Sequence, residues 1–424
     1  MDGNAMYALA ERLFPICRSL TGSGVRETLH ILQEHMPQLT LHEVPTGTQV
    51  FDWVVPKEWN IRGGYLETEA GDRILDFADT NLHIMGYSTP VDAWMTREEL
   101  LAHVYVLDDQ PDVIPYVTSY YKERFGFCMT KTMRDRLPEG RYHAVIDSTL
   151  ADGSLTYGEL ILPGETPDEI LLTTYVCHPS MADNELSGPC VATALAQWLS
   201  TLSRRRYTYR ILFVPETIGS IAYISRHLPQ LQAHVKAGFV LTCEGDDKAF
   251  SYIPTKRGGT LADRAALNVL RSFAPDFDAY TFLQRGSDER QYNAAGVNLP
   301  VCSVCRSKYH NFPEYHTSAD NLSFISPAGL QGALDVHRHI LQALEYNRRY
   351  CMTCCCEPQL GKRGLYPTVS QKGSTNAVRD LMDFIAYADG TEDLIAISDR
   401  IGVPVERLIP IIDTLMQHGL LTGD

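Results

Sequence analysis

Imidazole and carboxylate side chains stand at points where apolar runs of this sequence end. His178 comes after the run 170–176, Glu216 comes after the run 209–214, and His316 lies further along the chain in an aromatic segment. A hydrolytic zinc ion needs a few nitrogen or oxygen ligands and one position left open for water. A carboxylate outside the ligand set must then take the proton of that water. The three residues therefore predict a metal-assisted hydrolytic centre.

Each of these signals has a simpler interpretation when it is taken alone. A single histidine after a strand is more often a core or surface residue. The pair Asp183-Asn184, which precedes a predicted helix, is more often an N-cap than a pair of ligands. A shared site is favoured by the joint arrangement, in which imidazoles and carboxylates follow several strands in turn.

The apolar runs themselves predict the fold that brings these residues together. They are short and typical of strands buried on both faces, and helical stretches such as 191–202 separate them. The four predicted strands are 170–176, 209–214, 238–242 and 299–304. Strands that alternate with helices predict an α/β fold with a mixed, mostly parallel sheet flanked by helices. Ligands of such sheets bind beyond the carboxyl ends of the strands, where the candidate residues stand.

Changes in amino-acid composition and in predicted elements along the chain divide it into three predicted parts. Residues 1–45 and 142–358 form the α/β domain, which begins with two helices and a strand at 38–44. Residues 46–141 are rich in aromatic and turn-forming residues and lack a long amphipathic helix, which predicts an inserted β-rich domain. Two roles stay open for this insert, a lid or packing module and a substrate-facing wall. The aromatic residues that would form such a wall are Trp53, Trp59, Tyr120 and Tyr121.

The third part is residues 374–424, after a connector at 359–373 that is rich in Gly, Lys and Pro. Its three helical stretches and their Gly-Val-Pro turn have helix-turn-helix spacing. Arg379, Arg400 and Arg407 are outnumbered by nine acidic residues from position 380 to the end. This charge favours protein–protein packing over DNA binding, since DNA binding needs a basic surface.

Length and composition set the class of protein. At 424 residues the chain exceeds one compact unit, so two or three domains are expected. A formal net charge of −15 disfavours a nucleic-acid partner, because such binding needs cations that displace counterions. We find no apolar segment long enough for a membrane helix and no signal-peptide pattern at the N-terminus. We therefore expect a soluble, cytoplasmic protein with neither nucleic acid nor membrane as a partner.

The eleven cysteines are expected to be reduced thiols, given their odd number and this setting. Two pairs have CxxC spacing, Cys302/Cys305 and Cys351/Cys354, as structural zinc knuckles do. Cys302 and Cys305 lie inside an apolar run, which favours small buried side chains of a strand. The run of three cysteines that begins at Cys354 is assigned no function.

Several longer segments resemble a known family. They are VFDWVVPKEWNIR, SYYKERFGFC, PETIGSIAYIS, SDERQY, EYHTSADNL and CEPQLGKRGLYPT. They are similar to a bacterial group of aminopeptidase-like proteins within the family of zinc aminopeptidases and glutaminyl cyclases, and the similarity spans nearly the whole chain. It implies a zinc-exopeptidase-like fold with an inserted β-domain and a C-terminal winged helix. It also implies a link to polysaccharide or secondary-metabolite biosynthesis.

The resemblance implies roles for single residues. His178 matches the first metal-binding histidine of the family, His316 matches the last, and Glu216 stands where the general base does. Two positions depart from the family pattern. Thr217 stands where a second glutamate binds metal, and the neutral Asn184 stands where an aspartate bridges two zinc ions. Two complete zinc sites are therefore not expected.

The preferred model has one zinc ion per chain, held by His178, His316 and one acid. The acid is Asp183, if the turn is shifted by one residue, or Asp246 from the next strand end. That strand end also offers Cys243 and Glu244, and spacing alone does not choose among them.

The activity implied is that of an aminopeptidase-like hydrolase, which cleaves an N-terminal amino acid or a small amide from a small peptide or aminoacyl amide. Glu244, Asp246 or Asp288 would hold the ammonium group of the substrate, and Tyr315 is also assigned to substrate binding. Arg290 is a further candidate, although pairing with Asp288 as part of the scaffold is its favoured interpretation.

Two alternatives to hydrolysis stay open. The first is a scaffold whose metal site has decayed and which acts as a binding or assembly protein; Thr217 and Asn184 favour it. The second is a single-zinc acyl transfer of the cyclase type, which Glu216 neither favours nor excludes. A homo-oligomer is compatible with all of these interpretations.

Overall fold

The computed structural model of the chain describes residues 1–365 and 374–424. The chain divides into two compact units, namely Met1–Arg257 with Asp278–Leu334, and Gly258–Phe277 with Asp335–Asp424. Residues 366–373 of the predicted connector lie outside the described residues. The division into three parts made from the sequence stays a prediction.

The strands of the described residues are numbered in chain order. They are β1 Thr40–Pro45, β2 Gln49–Val50, β3 Trp53–Val54, β4 Glu58–Thr68, β5 Arg73–Asp76, β6 Val91–Thr96, β7 Val104–Tyr105, β8 Phe127–Cys128, β9 Arg141–Ala151, β10 Ser154–Leu162, β11 Glu169–Tyr175, β12 Thr208–Val214, β13 Val235–Val240, β14 Ser251–Ile253, β15 Asp278–Ala279, β16 Val301–Cys305, β17 Arg349–Met352, β18 Asp389–Asp393 and β19 Leu421–Gly423.

The α-helices of the described residues are numbered in the same way. They are α1 Gly3–Leu13, α2 Ser23–His35, α3 Arg97–Leu101, α4 Lys131–Asp135, α5 Ser187–Thr201, α6 Ile218–His234, α7 Leu261–Phe273, α8 Glu289–Tyr292, α9 Pro327–Tyr346, α10 Ser374–Tyr387, α11 Leu394–Ile401 and α12 Val405–Gln417.

The first unit is built on an eight-stranded mixed sheet in the order β1-β10-β12-β11-β13-β16-β14-β15. The four strands predicted from apolar runs are its centre, where β12, β11, β13 and β16 run parallel. All seven residues of β11 are buried, as expected for a central strand covered on both faces. The prediction of an α/β fold with a mixed sheet is confirmed. Its central strands end at a common edge, and His178 and Glu216 follow the ends of β11 and β12.

The start of α5 lies very close to this edge. A Cβ atom on Gly188 would lie 2.4 Å from the carbonyl oxygen of Leu241, so only glycine lets the helix approach the strand end so closely. The five residues before α5, Ala182–Leu186, form a turn of π-helix. Such turns are frequent at functional sites because they turn extra side chains inward.

A second sheet of the first unit has four antiparallel strands in the order β5-β4-β9-β6. Most of it comes from the stretch predicted to be β-rich, and it extends past residue 141 because β9 pairs with both β4 and β6. Alternate side chains of β9, including Tyr142, Ala144 and Ile146, are buried in a core with Leu66 and Phe127. This alternation is typical of a sheet that packs on one face.

The second unit contains the three helices predicted for the tail, α10 to α12, and a three-stranded antiparallel sheet in the order β18-β17-β19. The amphipathic helix α12 buries Leu408, Ile412 and Leu415. Within this unit, Arg264 of α7 donates a 2.8 Å hydrogen bond to Asp393, which is also the N-cap of α11. The prediction of a C-terminal helix-turn-helix domain is confirmed.

All eleven cysteines are free thiols. Cys302 and Cys305 are buried within β16, which agrees with the interpretation as small strand side chains, whereas Cys351 and Cys354 are exposed. Among the described helices, none combines the length and apolarity required to cross a bilayer.

Candidate active site

Two histidines that are 138 positions apart in the sequence face each other at the carboxyl edge of the central sheet. His178 follows β11, His316 lies in the segment before α9, and their ring centroids are 5.3 Å apart. His178 is only 3% exposed. Burial lowers the pKa of His178 to about 3 and also lowers the pKa of His316. Both imidazoles are therefore neutral at pH 7, the state in which histidine binds a metal.

The ring of His178 is held between two carboxyl groups. Its Nδ1 lies 2.7 Å from Oε2 of Glu185, and its Nε2 lies 3.6 Å from Oε2 of Glu216. Arg18 holds both residues in place. Its Nε donates to the backbone carbonyl oxygen of His178 and lies 3.8 Å from Oε1 of Glu185. A carboxylate on Nδ1 is typical of metal-binding histidines, because it turns the Nε2 lone pair towards the ion.

The ring of His316 has an amide as its partner. The hydroxyl of Thr242 donates its proton to the backbone oxygen of Asn184. The hydroxyl of Tyr175 must therefore donate to the Thr242 oxygen. The Tyr175 oxygen in turn accepts from the side-chain nitrogen of Asn184 at 2.9 Å. This chain of hydrogen bonds fixes the orientation of the Asn184 amide. Its oxygen lies 3.1 Å from Nε2 of His316 and accepts the proton of that nitrogen.

Two tyrosines pack against the histidines. The Tyr116 ring lies 5.0 Å from the His178 ring and 5.1 Å from the His316 ring, and Tyr315 stacks on His316 at 3.9 Å. Tyr116 comes from the stretch predicted to be an insert, and its hydroxyl lies 2.9 Å from that of Tyr120. These rings cover the imidazoles and reduce the access of water.

Glu216 and Thr217 form a strained turn between β12 and α6. The backbone N–H of Glu216 points at Cys177 Sγ at 3.2 Å, and Thr217 has a φ of 63°. A positive φ is costly for a β-branched residue and is common where a site requires it. Burial, followed by the charge of Asp288, raises the pKa of Glu216 well above its ordinary value.

The acids predicted as a third metal ligand have other partners. Asp183 Oδ1 accepts from the N–H groups of Gly245 and Asp246 at 2.7 and 3.1 Å. Asp246 accepts from the N–H groups of Lys248 and Ser307 and from the Ser307 hydroxyl. The oxygens of Asp246 are thus occupied in organising a turn. Among the described residues, no hydrogen bond or ion pair joins Asp183 or Asp246 to His178 or His316.

The residues predicted to hold a substrate ammonium group are mostly buried within the scaffold. Glu244 is 1% exposed, and its N–H donates to Ser187. Asp288 is also 1% exposed and accepts from the Thr217 N–H at 2.8 Å and the Ser220 hydroxyl at 2.6 Å. Its role here is to hold the start of α6.

Arg290 differs from the favoured expectation as well. Its guanidinium donates to the hydroxyl of Thr217 at 2.7 Å, and it does not form a salt bridge with Asp288 within the described residues. The hydroxyl of Thr217, at the position where the resemblance places a metal-binding glutamate, thus has the Arg290 guanidinium as its partner.

Sequence reasoning assigned no role to two residues that the structure places at the site. Glu185 is not among the residues predicted from the sequence, although an acid seven residues after His178 is a signal for a partner of that ring. Tyr116 had no such signal, because it reaches the histidines from a distant stretch of chain. Asn184, predicted as a weak ligand candidate, does contact His316.

A family model described as "Domain of unknown function (DUF4910)" matches residues 7–347, and a winged helix-turn-helix model matches residues 348–423. The chain belongs to the DUF4910 family.

Two relatives of this DUF4910 chain are informative. A Clostridium acetobutylicum protein named "Putative polysaccharide biosynthesis protein with aminopeptidase-like domain" is 44% identical over 422 residues, which cover 99% of this chain and 96% of that protein. A crystal structure of a "putative peptidase" from the same species is 43% identical, with a match that covers 100% of this chain and 96% of that one, and has a TM-score of 0.92. The fold is also similar to BSAP, a zinc aminopeptidase from Bacillus subtilis, with a TM-score of 0.58 at 13% identity, covering 79% of this chain and 93% of that one.

The donor atoms of this DUF4910 chain fit one zinc ion in chemical type and do not fit two. Each histidine Nε2 has one side-chain oxygen nearby, from Glu216 for His178 and from Asn184 for His316. A pair of zinc ions needs a bridging carboxylate and further acids, whereas Asn184 is neutral and Thr217 is a hydroxyl.

Within the described residues, one group of three histidine, cysteine or acidic side chains has its ligand atoms all within 4.8 Å of one another. The group is Cys177, His178 and Glu185. This trio is a poor metal site, because Glu185 is already bonded to His178 Nδ1 and burial raises the pKa of the Cys177 thiol well above its ordinary value. His178, Glu216 and His316 do not meet the same limit as they stand.

Proposed function

We propose that this chain is an aminopeptidase-like hydrolase that uses one zinc ion to cleave a small peptide or an aminoacyl amide. The observation that carries the proposal is that the neutral imidazoles of His178 and His316 face each other while the Glu216 carboxyl group lies 3.6 Å from His178 Nε2. The fold of a zinc aminopeptidase and the names of the Clostridium relatives support the same class of reaction. We place the activity in the cytoplasm, where free cysteines stay reduced.

The zinc ion would be held by His178 and His316, and the amide oxygen of Asn184 takes the place of the acid that the sequence predicted as third ligand. To act as a ligand through Nε2, the neutral ring of His316 would adopt the other tautomer, with its single proton on Nδ1. Zinc, when bound, would act as a Lewis acid on the carbonyl group of the scissile amide. Because this ligand set is neutral, we expect it to bind zinc less tightly than a set with a carboxylate.

Glu216 would act as the base in this reaction. Its carboxylate takes a proton from the attacking water and passes it to the nitrogen of the leaving amine as the C–N bond breaks. Glu185 and Arg18 keep the His178 ring in place, and Tyr116 and Tyr315 exclude bulk water from the reacting groups.

A second candidate function is a metal-free binding or assembly protein. It is favoured by the hydrogen bond between His316 and Asn184 and by the backbone N–H groups that already bond to Asp183 and Asp246. Under this proposal the site recognises a ligand without cleaving it.

The deciding experiment measures zinc content and turnover of a panel of aminoacyl amides. Wild type is compared with Glu216→Gln and His178→Ala. We expect one zinc per chain in wild type and in Glu216→Gln, and a large loss of zinc in His178→Ala. Loss of the base should lower kcat by about 100- to 10,000-fold.

The matched control is Glu69→Gln, since Glu69 is an exposed glutamate. It should keep both zinc and activity. Equal turnover by wild type and Glu216→Gln would refute the base assignment, and a wild-type chain that takes up no zinc would favour the metal-free candidate.

A further inference from the structure

An exposed arginine lies beside the residues proposed to carry the reaction. Arg290 is on the short helix α8, and one nitrogen of its guanidinium donates to Thr217 Oγ1 at 2.7 Å. In the part of the chain that the structure describes, no carboxylate lies within 4.0 Å of this guanidinium. Arginine has five N–H donors, and the bond to Thr217 is the one hydrogen bond that Arg290 donates within the described residues.

The charge of Arg290 acts on the proposed site. It lowers the pKa of Glu216 and the pKa of Tyr315, in both cases against the larger effect of burial. It also lowers the pKa of His310. The guanidinium therefore stands within electrostatic range of both the proposed base and the ring that stacks on His316.

The position of the guanidinium is set by the scaffold. Thr217, whose hydroxyl accepts from Arg290, is fixed in a left-handed backbone conformation by the bond from its N–H to Asp288. Asp288 is in turn held by Ser220 of α6. The flexible side chain of Arg290 is thus already held by the Thr217 hydroxyl, which reduces the conformational entropy that it loses when it binds a ligand.

We propose that Arg290 binds an anionic group of the substrate, a carboxylate or a phosphate, next to the bond that is cleaved. The guanidinium fork matches both groups and binds them through paired hydrogen bonds. The formal net charge of the chain is −15, so this cation does not belong to a general basic surface. The inference rests on the proposed hydrolytic function and narrows its substrates to those with an acidic group.

The test compares dipeptide amides that differ in one anionic group, with the full zinc-loaded chain. Alanyl-aspartate amide is paired with alanyl-asparagine amide, and alanyl-phosphoserine amide with alanyl-serine amide, so that the two arms separate carboxylate from phosphate. The variants are Arg290→Met, which keeps the length of the side chain, and Arg290→Lys, which keeps the charge without the fork. Arg285→Met, which changes another exposed arginine of the same segment, is the control.

We expect wild type to prefer the charged member of one pair by tenfold or more in kcat/KM, the size of effect expected for a charge-assisted hydrogen bond. In Arg290→Met the preference should fall to near 1, mainly through KM, and in Arg290→Lys it should be intermediate. Arg285→Met should keep the wild-type ratio. A wild-type ratio near 1 in both pairs, or an equal loss for charged and neutral members in Arg290→Met, would overturn the inference.

A calorimetric titration separates this inference from the proposed function. If wild type cleaves no member of the panel, succinate and inorganic phosphate are titrated into wild type and Arg290→Met. Binding by wild type that the variant lacks would leave the anion site standing while hydrolysis is rejected. Absence of binding in wild type would reject the anion site as well.

Discussion

Replacing Asn184 by aspartate changes the charge of the proposed metal site with a minimal change of shape. The amide oxygen of Asn184 lies 3.1 Å from His316 Nε2, and the residue is 1% exposed. An aspartate would put a full negative charge beside the ion. Two unit charges 4 Å apart attract by about 4 kcal/mol at an effective dielectric constant near 20. Desolvation of the buried carboxylate offsets part of this gain.

We therefore expect Asn184→Asp to bind zinc about 10- to 100-fold more tightly, which is about 1.4 to 3 kcal/mol. The same change removes the hydrogen bond that Asn184 donates to Tyr175. Without metal, the variant should be less stable than wild type by about 1 to 3 kcal/mol, because a buried polar partner is lost. The sign of the effect on stability should thus depend on zinc.

Two assays check these values. Competition with a chelator of known affinity gives the zinc dissociation constants, and urea unfolding with and without a chelator gives the free energies of unfolding. Asn293→Asp is the control, because Asn293 is also a buried amide whose nitrogen donates two hydrogen bonds, to the backbone oxygens of Glu289 and Val301. It should lower stability without raising zinc affinity. A folded Asn184→Asp chain with the zinc affinity of wild type would show that residue 184 does not face the ion.

Two further predictions concern stability. Arg210 is 2% exposed and forms ion pairs with Glu169 and Glu159. Arg210→Met should lower the free energy of unfolding in urea by about 3 to 5 kcal/mol, because the two acids lose their buried partner. An unchanged midpoint of urea unfolding would contradict this. The hydrogen bond from Arg26 lowers the pKa of Glu58 from 4.5 to about 2, so the pair stabilises the fold above pH 4.5 and the effect is lost as the pH falls towards 2. Glu58→Gln should flatten acid unfolding in this window, and a curve as steep as that of wild type would refute it.

The sequence was sufficient to predict the positions of those site residues that directly follow the end of a strand. A run of apolar residues identifies a central strand, and parallel strands share one edge, so His178 and Glu216 could be expected there. His316 follows no central strand directly, and its place came from the resemblance to a known family. The helices of the tail were predictable because their apolar residues recur with helical spacing.

The use of each acid could not be predicted in the same way. Asp183, Asp246 and Asp288 stand at strand or helix ends as ligands would, yet their oxygens accept from backbone N–H groups and hydroxyls. Which of these partners an acid finds depends on turn geometry at a scale of 1 Å. Glu185 and Tyr116 were missed for the same reason, since side-chain direction decides their roles.

The hydrogen bonds around Tyr116 have a consequence for engineering. Its N–H donates to the backbone oxygen of His316 at 2.9 Å, and Pro115 forms a bridge with Thr317. The main chain on both sides of the histidine is thus tied to a loop about 200 positions earlier. A shortened chain from which residues 46–141 were excised would lose these ties, and a minimal catalytic core of this family has to retain the loop.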